Sequence, residues 1–246
     1  MNIYLDIETI PEGEPDLSSL PDPSTIVVLH DDPDIKVDGR LKDPAKIEAA
    51  REEGRAKLQE QRRAEAEKMR ADALDEHSKG ALTALRGRVL CVGIAVEEAG
   101  PKVLMADTEE ETLELLQRGL EHYAKQASGR LRLWTWNGAG FDRPFLARRA
   151  LRHRLYPLAR RMRVEKKWEA DDLYQVWSMG EYRAKGRLDD VCDLLGIGRA
   201  DNPINGSEVF ERYQAGDLDA IREHCLDDVR VLQIIGREFR AAGWLG

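Results

Sequence analysis

Four carboxylates in three short motifs, separated by about 220 residues at the extremes, are the part of this chain best suited to chemistry. Asp6 and Glu8 stand in Asp6-Ile7-Glu8-Thr9, Asp142 ends the run Asn137-Gly138-Ala139-Gly140-Phe141-Asp142, and Asp228 closes His224-Cys225-Leu226-Asp227-Asp228. Together Asp6, Glu8, Asp142 and Asp228 make a donor set for two divalent cations, the arrangement that hydrolyses phosphodiesters by activating a water and stabilising the departing oxygen. Residues two apart in a strand point the same way, so Asp6 and Glu8 share a face. Carboxylates that close repel unless they are protonated or bridged by a cation. His224 and Asp228 are one helical turn apart and face the same side. On that register Asp227 turns about 100° away and is expected in solvent. Cys225 diverges from His224 and no oxyanion motif accompanies it, which argues against a thiol nucleophile. Asp142 also suits a helix N-cap. Gly138 and Gly140 would let the backbone approach a ligand, and Phe141 serves either the core or the stacking of a base.

The elements that must position these residues are legible from periodicity. Asn2 to Glu8 alternates as a strand, with Ile3, Leu5 and Ile7 on one face and Tyr4, Asp6 and Glu8 on the other. Residues 11–45 are rich in Pro and Asp and read as loop. Asp43-Pro44 reads as an N-cap with Pro at the first helical position. The helix that follows, Lys46 to His77, holds eight Lys/Arg and nine Asp/Glu but few large apolar residues: Ile47, Leu58, Met69 and Leu74. The first three are 11 apart and keep to one stripe. Such a seam suits a helix lying on its own domain better than a dimerising coiled coil.

Strands are expected at Arg88–Val96, Lys102–Met105, Leu131–Trp136 and Ala170–Leu173. Thr108 with Glu111 predicts a capping box, opening a helix that carries Leu113, Leu116, Leu120 and Tyr123. Further helices are expected from Arg143, where Pro144 fits the first turn, and over Leu188–Leu195, Ser207–Gln214 and Asp217–Phe239. The order predicts an α/β sheet with helices on both faces.

Composition limits the class. The 246 residues suit one domain, residues 1–246, with residues 44–79 as a charged helical insertion. No run approaches the ~20 apolar residues of a membrane span, and no secretion signal is evident at the N-terminus. Cys91, Cys192 and Cys225 are odd in number and lack CxxC spacing, so reduced thiols and a cytoplasmic location are expected. The net charge of −8 hides an uneven distribution. Arg143 to Lys167 contains ten Lys/Arg and one acid, a window of +9 that leaves −17 on the rest. Arg148, Arg149 and Arg152 are the candidates in it for tracking phosphates.

Taken together, the motifs resemble the DEDD superfamily of 3′–5′ exonucleases. Asp-Ile-Glu-Thr is similar to the first motif, Asn-x-x-x-Phe-Asp to the second, and His224 to Asp228 to the third. DIETIP, GRVLCVGIAV, RLDDVCDLLGI, INGSEVFERYQAGD and HCLDDVRVL resemble the predicted exonucleases related to the proofreading domain of family-B DNA polymerases. The resemblance implies a ribonuclease H-like mixed sheet with the first strand central and a helical arm between the first two strands. It implies two Mg²⁺ or Mn²⁺ ions, with Asp6 bridging them, Glu8 and Asp228 completing one site and Asp142 serving the other. It places Thr9, Ile10, Asn137 and Phe141 near the terminal nucleotide. The third motif departs from both branches of the superfamily: a His stands at the spacing of the branch that uses Tyr. A Tyr of pKa ~10 mainly orients a water, whereas a His near ~6.5 accepts its proton, so His224 is the expected general base.

The function expected is metal-dependent 3′–5′ hydrolysis of single strands or frayed ends, DNA favoured, giving nucleoside 5′-monophosphates. An exoribonuclease, a non-catalytic nucleic-acid-binding module of the same fold and an interaction protein built on the helical arm are the other readings. Any polymerase or repair partner would be a separate chain, and the oligomeric state is open.

Overall fold

A computed structural model describes residues 1–97, 99–128, 130–166, 170–181, 186–200 and 204–245. Lys167, the last residue of the basic window, lies outside them. The chain divides into two compact units, Gly13–Lys79 and the remainder, Met1–Glu12 with Gly80–Gly246.

In the larger unit a four-stranded mixed sheet has the order β3-β2-β1-β4. β1 (Asn2–Pro11) lies inside it, antiparallel to β2 (Gly87–Val96) and parallel to β4 (Arg132–Trp134). β3 (Lys102–Leu104) pairs antiparallel with β2 at one edge. The expected strand over 170–173 is absent. Asp172 makes one isolated parallel bridge to Thr135, and Leu173 already begins a helix.

Alternation along β1 divides the core in two. Ile3, Leu5 and Ile7 pack with Leu113, Leu116, Phe145 and Leu146, from α2 (Glu109–Gln126) and α3 (Asp142–Arg152). α4 (Tyr156–Met162) adds Leu158 and Met162 to the same cluster. On the other face Tyr4 and Ala95 pack with Val229, Leu232 and Ile235 of α8 (Leu218–Ala241). The expected capping box opens α2, with the Glu111 backbone N–H donating to the Thr108 hydroxyl oxygen at 3.2 Å. Close approach of α8 to β2 depends on Gly93: a Cβ there would stand 2.8 Å from the Cys225 carbonyl oxygen. All three cysteines are buried and free. Three short helices complete the unit: α5 (Leu173–Ser178), α6 (Leu188–Leu195) and α7 (Val209–Gln214).

The smaller unit is built on α1 (Pro44–Ser78), capped by the Asp43 carboxylate, which accepts from the Ala45 N–H. The segment before the helix packs along it. Val28 is fully buried and donates its N–H to Gln59, and Arg62 pairs with Asp32 at 2.7 Å and Asp34 at 2.5 Å. Ala66 is the buried residue of α1, whereas Met69 and Leu74 are exposed. The expected apolar seam is therefore only partly used, and ion pairs to the preceding loop take its place. No helix among the described residues is long and apolar enough to cross a membrane.

One corrected expectation concerns the basic segment. Arg149 is only 2% exposed and does not face a phosphate. Its Nε and Nη2 donate to the buried Glu109 carboxylate at 2.8 and 2.6 Å, and its Nη1 donates to Glu12 and the Ala84 carbonyl. Burial pushes Glu109 up, but hydrogen bonds from Arg149, the Val89 N–H and His153 outweigh it and hold the carboxylate below its ordinary range. Arg152 reaches Glu12 at 2.6 Å, and Arg148 stays exposed. A fork of donors in a dry site is a structural clamp, and losing one partner strands a buried charge. Arg149→Ala is expected to destabilise the fold by about 3–5 kcal/mol in urea unfolding, and Arg148→Ala to stay within about 0.5 kcal/mol of the parent. Equal effects of the two would remove the clamp from the account of the fold.

Candidate functional site

A cavity of about 650 Å³ opens over the acidic end of β1. Asp6, Glu8 and Thr9 reach it from β1, Asn137, Phe141 and Asp142 from the turn after β4, and His224 and Asp228 from α8. Residues from the two ends of the chain meet because β1 is an interior strand and α8 packs across it.

The turn carrying Asp142 is held by a residue that sequence reasoning missed. The Asp172 carboxylate accepts from the Asn137 N–H at 2.8 Å, the Ala139 N–H at 3.0 Å and the Tyr174 N–H at 3.0 Å. Asn137 takes a left-handed φ of 57°, which Asn tolerates better than most residues. Gly138 serves packing rather than a ligand: a Cβ there would lie 2.4 Å from Thr135 Cβ and 2.8 Å from Asp142 Oδ2. Asp142 is the first residue of α3, after an N-cap, Phe141, that makes no side-chain cap bond. Its carboxylate therefore does not serve as the N-cap. Sequence reading placed Asp172 only within an expected strand, Ala170–Leu173, with no role of its own.

The placement on α8 is close. His224 Nε2 lies 3.3 Å from Glu8 Oε1 and 3.6 Å from Asp228 Oδ2. Its Nδ1 is buried with no hydrogen-bond partner among the described residues. Asp227 is buried, contrary to the expectation from helical register. It binds Arg230 at 2.6 Å, accepts from the Ala200 N–H at 3.2 Å and lies 3.3 Å from Arg199 Nε. Arg199 also pairs with Asp228. Helical register alone did not reveal that a neighbouring loop covers that side of α8.

The remaining expected residues divide. Thr9 lines the cavity and donates its hydroxyl to the Ala81 carbonyl at 2.8 Å. Phe141 lines it while packing 5.5 Å from the Phe145 ring. Ile10 does not reach the cavity. It is 1% exposed, sealed among Leu90, Val209 and Ile221. Trp136 and Tyr174, which the sequence did not single out, line the cavity as an edge-to-face pair with centroids 5.7 Å apart.

The electrostatics fit a cation. Burial raises the Asp6 pKa well above its ordinary value, with Asp142, Asp228 and Glu8 adding repulsion. Glu8 is raised by burial and then by Cys91, Asp228 and Asp142. Asp142 is pushed up to about 7, mainly by burial, with Asp172 and Asp228 contributing and backbone N–H groups opposing. Among the described residues two sets of donor atoms each lie within 4.8 Å of one another: Asp6, Glu8 and Cys225 in one, and Glu8, His224 and Asp228 in the other. The Cys225 thiol is held protonated by its hydrogen bond with Cys91 and by burial, so the oxygens and the imidazole are the usable donors. An oxygen-rich set of this kind suits Mg²⁺ or Mn²⁺.

Without a cation the same raised values have a consequence for stability. An unfolded Asp titrates near ~4, whereas folded Asp142 titrates at about 7. Between those values the folded protein binds more protons than the unfolded chain, so its stability falls as pH rises through that window. In EDTA the Tm is expected to decline from about pH 5 to about pH 8. Asp142→Asn should shallow that decline and raise the Tm at the alkaline end by several degrees. Thermal scans with chelator check both, and an unaltered slope in the variant would assign the titration to another group.

A family model described as predicted 3′–5′ exonuclease related to the exonuclease domain of PolB matches residues 87–232. No curated protein matches the chain. Among solved structures, the family B DNA polymerase from the hyperthermophilic archaeon Pyrobaculum calidifontis is similar at 16% sequence identity and a TM-score of 0.49. That match covers 97% of this chain and 24% of the polymerase, so the chain spans about a quarter of the polymerase's length.

Proposed function

The chain belongs to the family of predicted 3′–5′ exonucleases related to the exonuclease domain of PolB, and from that premise we propose a metal-dependent 3′–5′ exonuclease. Its substrate is single-stranded nucleic acid, DNA favoured, and its product nucleoside 5′-monophosphates. The observation that carries the reading is the gathering of Asp6, Glu8, Asp142 and Asp228 in one cavity. In three of them, Asp6, Glu8 and Asp142, burial and mutual repulsion raise the pKa. Such a cluster carries a cost in the metal-free protein that a pure binding module has no reason to bear.

In this proposal Asp6, Glu8, Asp142 and Asp228 hold two Mg²⁺ or Mn²⁺ ions within a ribonuclease H-like frame. Bound there, the ions supply Lewis-acid stabilisation of the scissile phosphate and lower the pKa of the attacking water. His224, with Nε2 between Glu8 and Asp228, accepts the water's proton. Thr9, Asn137 and Phe141 line the same cavity and position the terminal nucleotide, with Trp136 and Tyr174 as further stacking surfaces. We place this activity in residues 1–246 as one domain, with the helical segment 44–79 as an insertion.

Purified protein incubated with 3′-labelled and 5′-labelled oligonucleotides should release label as mononucleotide from the 3′ end first, and only with Mg²⁺ or Mn²⁺. Parallel DNA and RNA substrates decide between deoxyribonuclease and exoribonuclease. No metal-dependent shortening would sink the enzyme reading, and residual degradation by Asp6→Ala would point to a contaminant.

The proton acceptor has its own test. His224→Ala is expected to lower kcat by about 10²–10⁴-fold and to flatten the acid limb of the pH–rate profile. An unchanged profile would assign proton transfer to another group.

A further inference from the structure

A second cleft, of about 440 Å³, lies beside the edge strand β4. Arg143, Arg160 and Arg161 line it over a partly apolar floor of Leu131, Leu133 and Pro157. Among the described residues the one carboxylate in its wall is Asp171, engaged by Arg132 at 2.9 Å. Among the described residues the Arg160 and Arg161 side chains have no hydrogen bond or ion pair. Arg143 donates one bond from Nη2 to the Arg161 carbonyl at 3.2 Å, while its Nε is buried and unpartnered. Three guanidinium groups thus share one cleft and leave most of their donors unused. Elsewhere in the larger unit Arg118, Arg152, Arg212 and Arg222 each pair with a carboxylate, whereas the exposed Arg148 and Arg154 have no ion pair among the described residues but do not line this cleft.

We propose that this cleft is a second, non-catalytic site for the phosphodiester backbone of a nucleic-acid strand. Guanidinium forks match phosphate oxygens in a bidentate way that a point charge does not. Apolar floor residues suit the sugar faces between phosphates better than the side chains of an acidic peptide. The cleft also adjoins the catalytic cavity in sequence, because Arg143 directly follows Asp142. The basic window of the sequence therefore acts through Arg143, Arg160 and Arg161 rather than through Arg149, whose charge is consumed in the core. Only the identity of the ligand rests on the exonuclease reading.

Binding measured without catalysis separates the two proposals. A fluorescein-labelled single-stranded oligonucleotide is titrated with intact protein in EDTA, at several salt concentrations. Arg160→Gln with Arg161→Gln is expected to weaken binding at least tenfold. It should also shallow the slope of log K against log[salt] by about 0.7 for each phosphate no longer neutralised. Lys102→Gln with Lys125→Gln removes the same charge from exposed positions elsewhere and should change neither. Matched losses in the two double variants, or none in either, would overturn the site. Equal competition by polyglutamate and by unlabelled oligonucleotide of the same charge would overturn the nucleic-acid assignment. Because no metal is present, an inactive nuclease with intact Arg160-dependent binding would fail only the catalytic proposal.

Discussion

Holding mutually repelling carboxylates together in one cavity is the constraint around which the larger unit is arranged. Asp6 and Glu8 cannot move apart, because β1 is locked between antiparallel β2 and parallel β4. Asp228 cannot withdraw, because α8 is pressed on the sheet where Gly93 leaves room for the Cys225 carbonyl. Asp142 is fixed by a turn whose backbone N–H groups are held by a fifth carboxylate, Asp172. Each device is ordinary alone. Together they hold Asp6, Glu8 and Asp142 where burial first, and repulsion among the acids second, raises their pKa.

What was legible in the sequence follows the range of the forces involved. Local periodicity revealed β1 with its two faces, β2 as a buried strand and α8 as a helix, and reciprocal capping revealed the start of α2. These signals are carried by residues a few positions apart. The misreadings involve partners far away. Arg149 looked like a phosphate ligand because Glu109, 40 residues distant, and Glu12, 137 residues distant, could not be seen to bury it. Asp227 looked solvated because the loop bearing Ala200, 27 residues before it, covers that side of α8. Residues 170–173 looked like a strand because Asp172 and Leu173 do meet the sheet, but through one bridge and a turn of helix. Ile10 continues the face of Glu8, yet α7 and α8 close over it.

The histidine of the third motif changes the physics of the cage rather than only its spelling. A tyrosine hydroxyl at that position is neutral and can only orient. An imidazole between Glu8 and Asp228 can carry charge, and its two short distances show that both carboxylates already face it. Protonated, it offsets their repulsion; neutral, it presents a lone pair to the same oxygens or to a cation they share. On the proposed function, proton acceptance at His224 would therefore change the charge balance of the same carboxylates, which a phenol at that position would not do.

Arg199 brings the same logic to the rim of the cavity. It is the cation that pairs with Asp228, and Asp227 and Asp189 hold its Nε side at 3.3 Å each. Among the described residues its Nε and Nη1 are buried without a hydrogen bond, while its Nη2 donates to Asp228. A metal ion at Asp228, as proposed, would compete with Arg199 for that carboxylate, while Asp227 and Asp189 would remain as partners of the guanidinium. The Arg199 side chain lines the same cavity as the acids. Asp227, next to Asp228 in sequence but turned toward Arg199 and Arg230, thus keeps positive charge at the rim of that cavity.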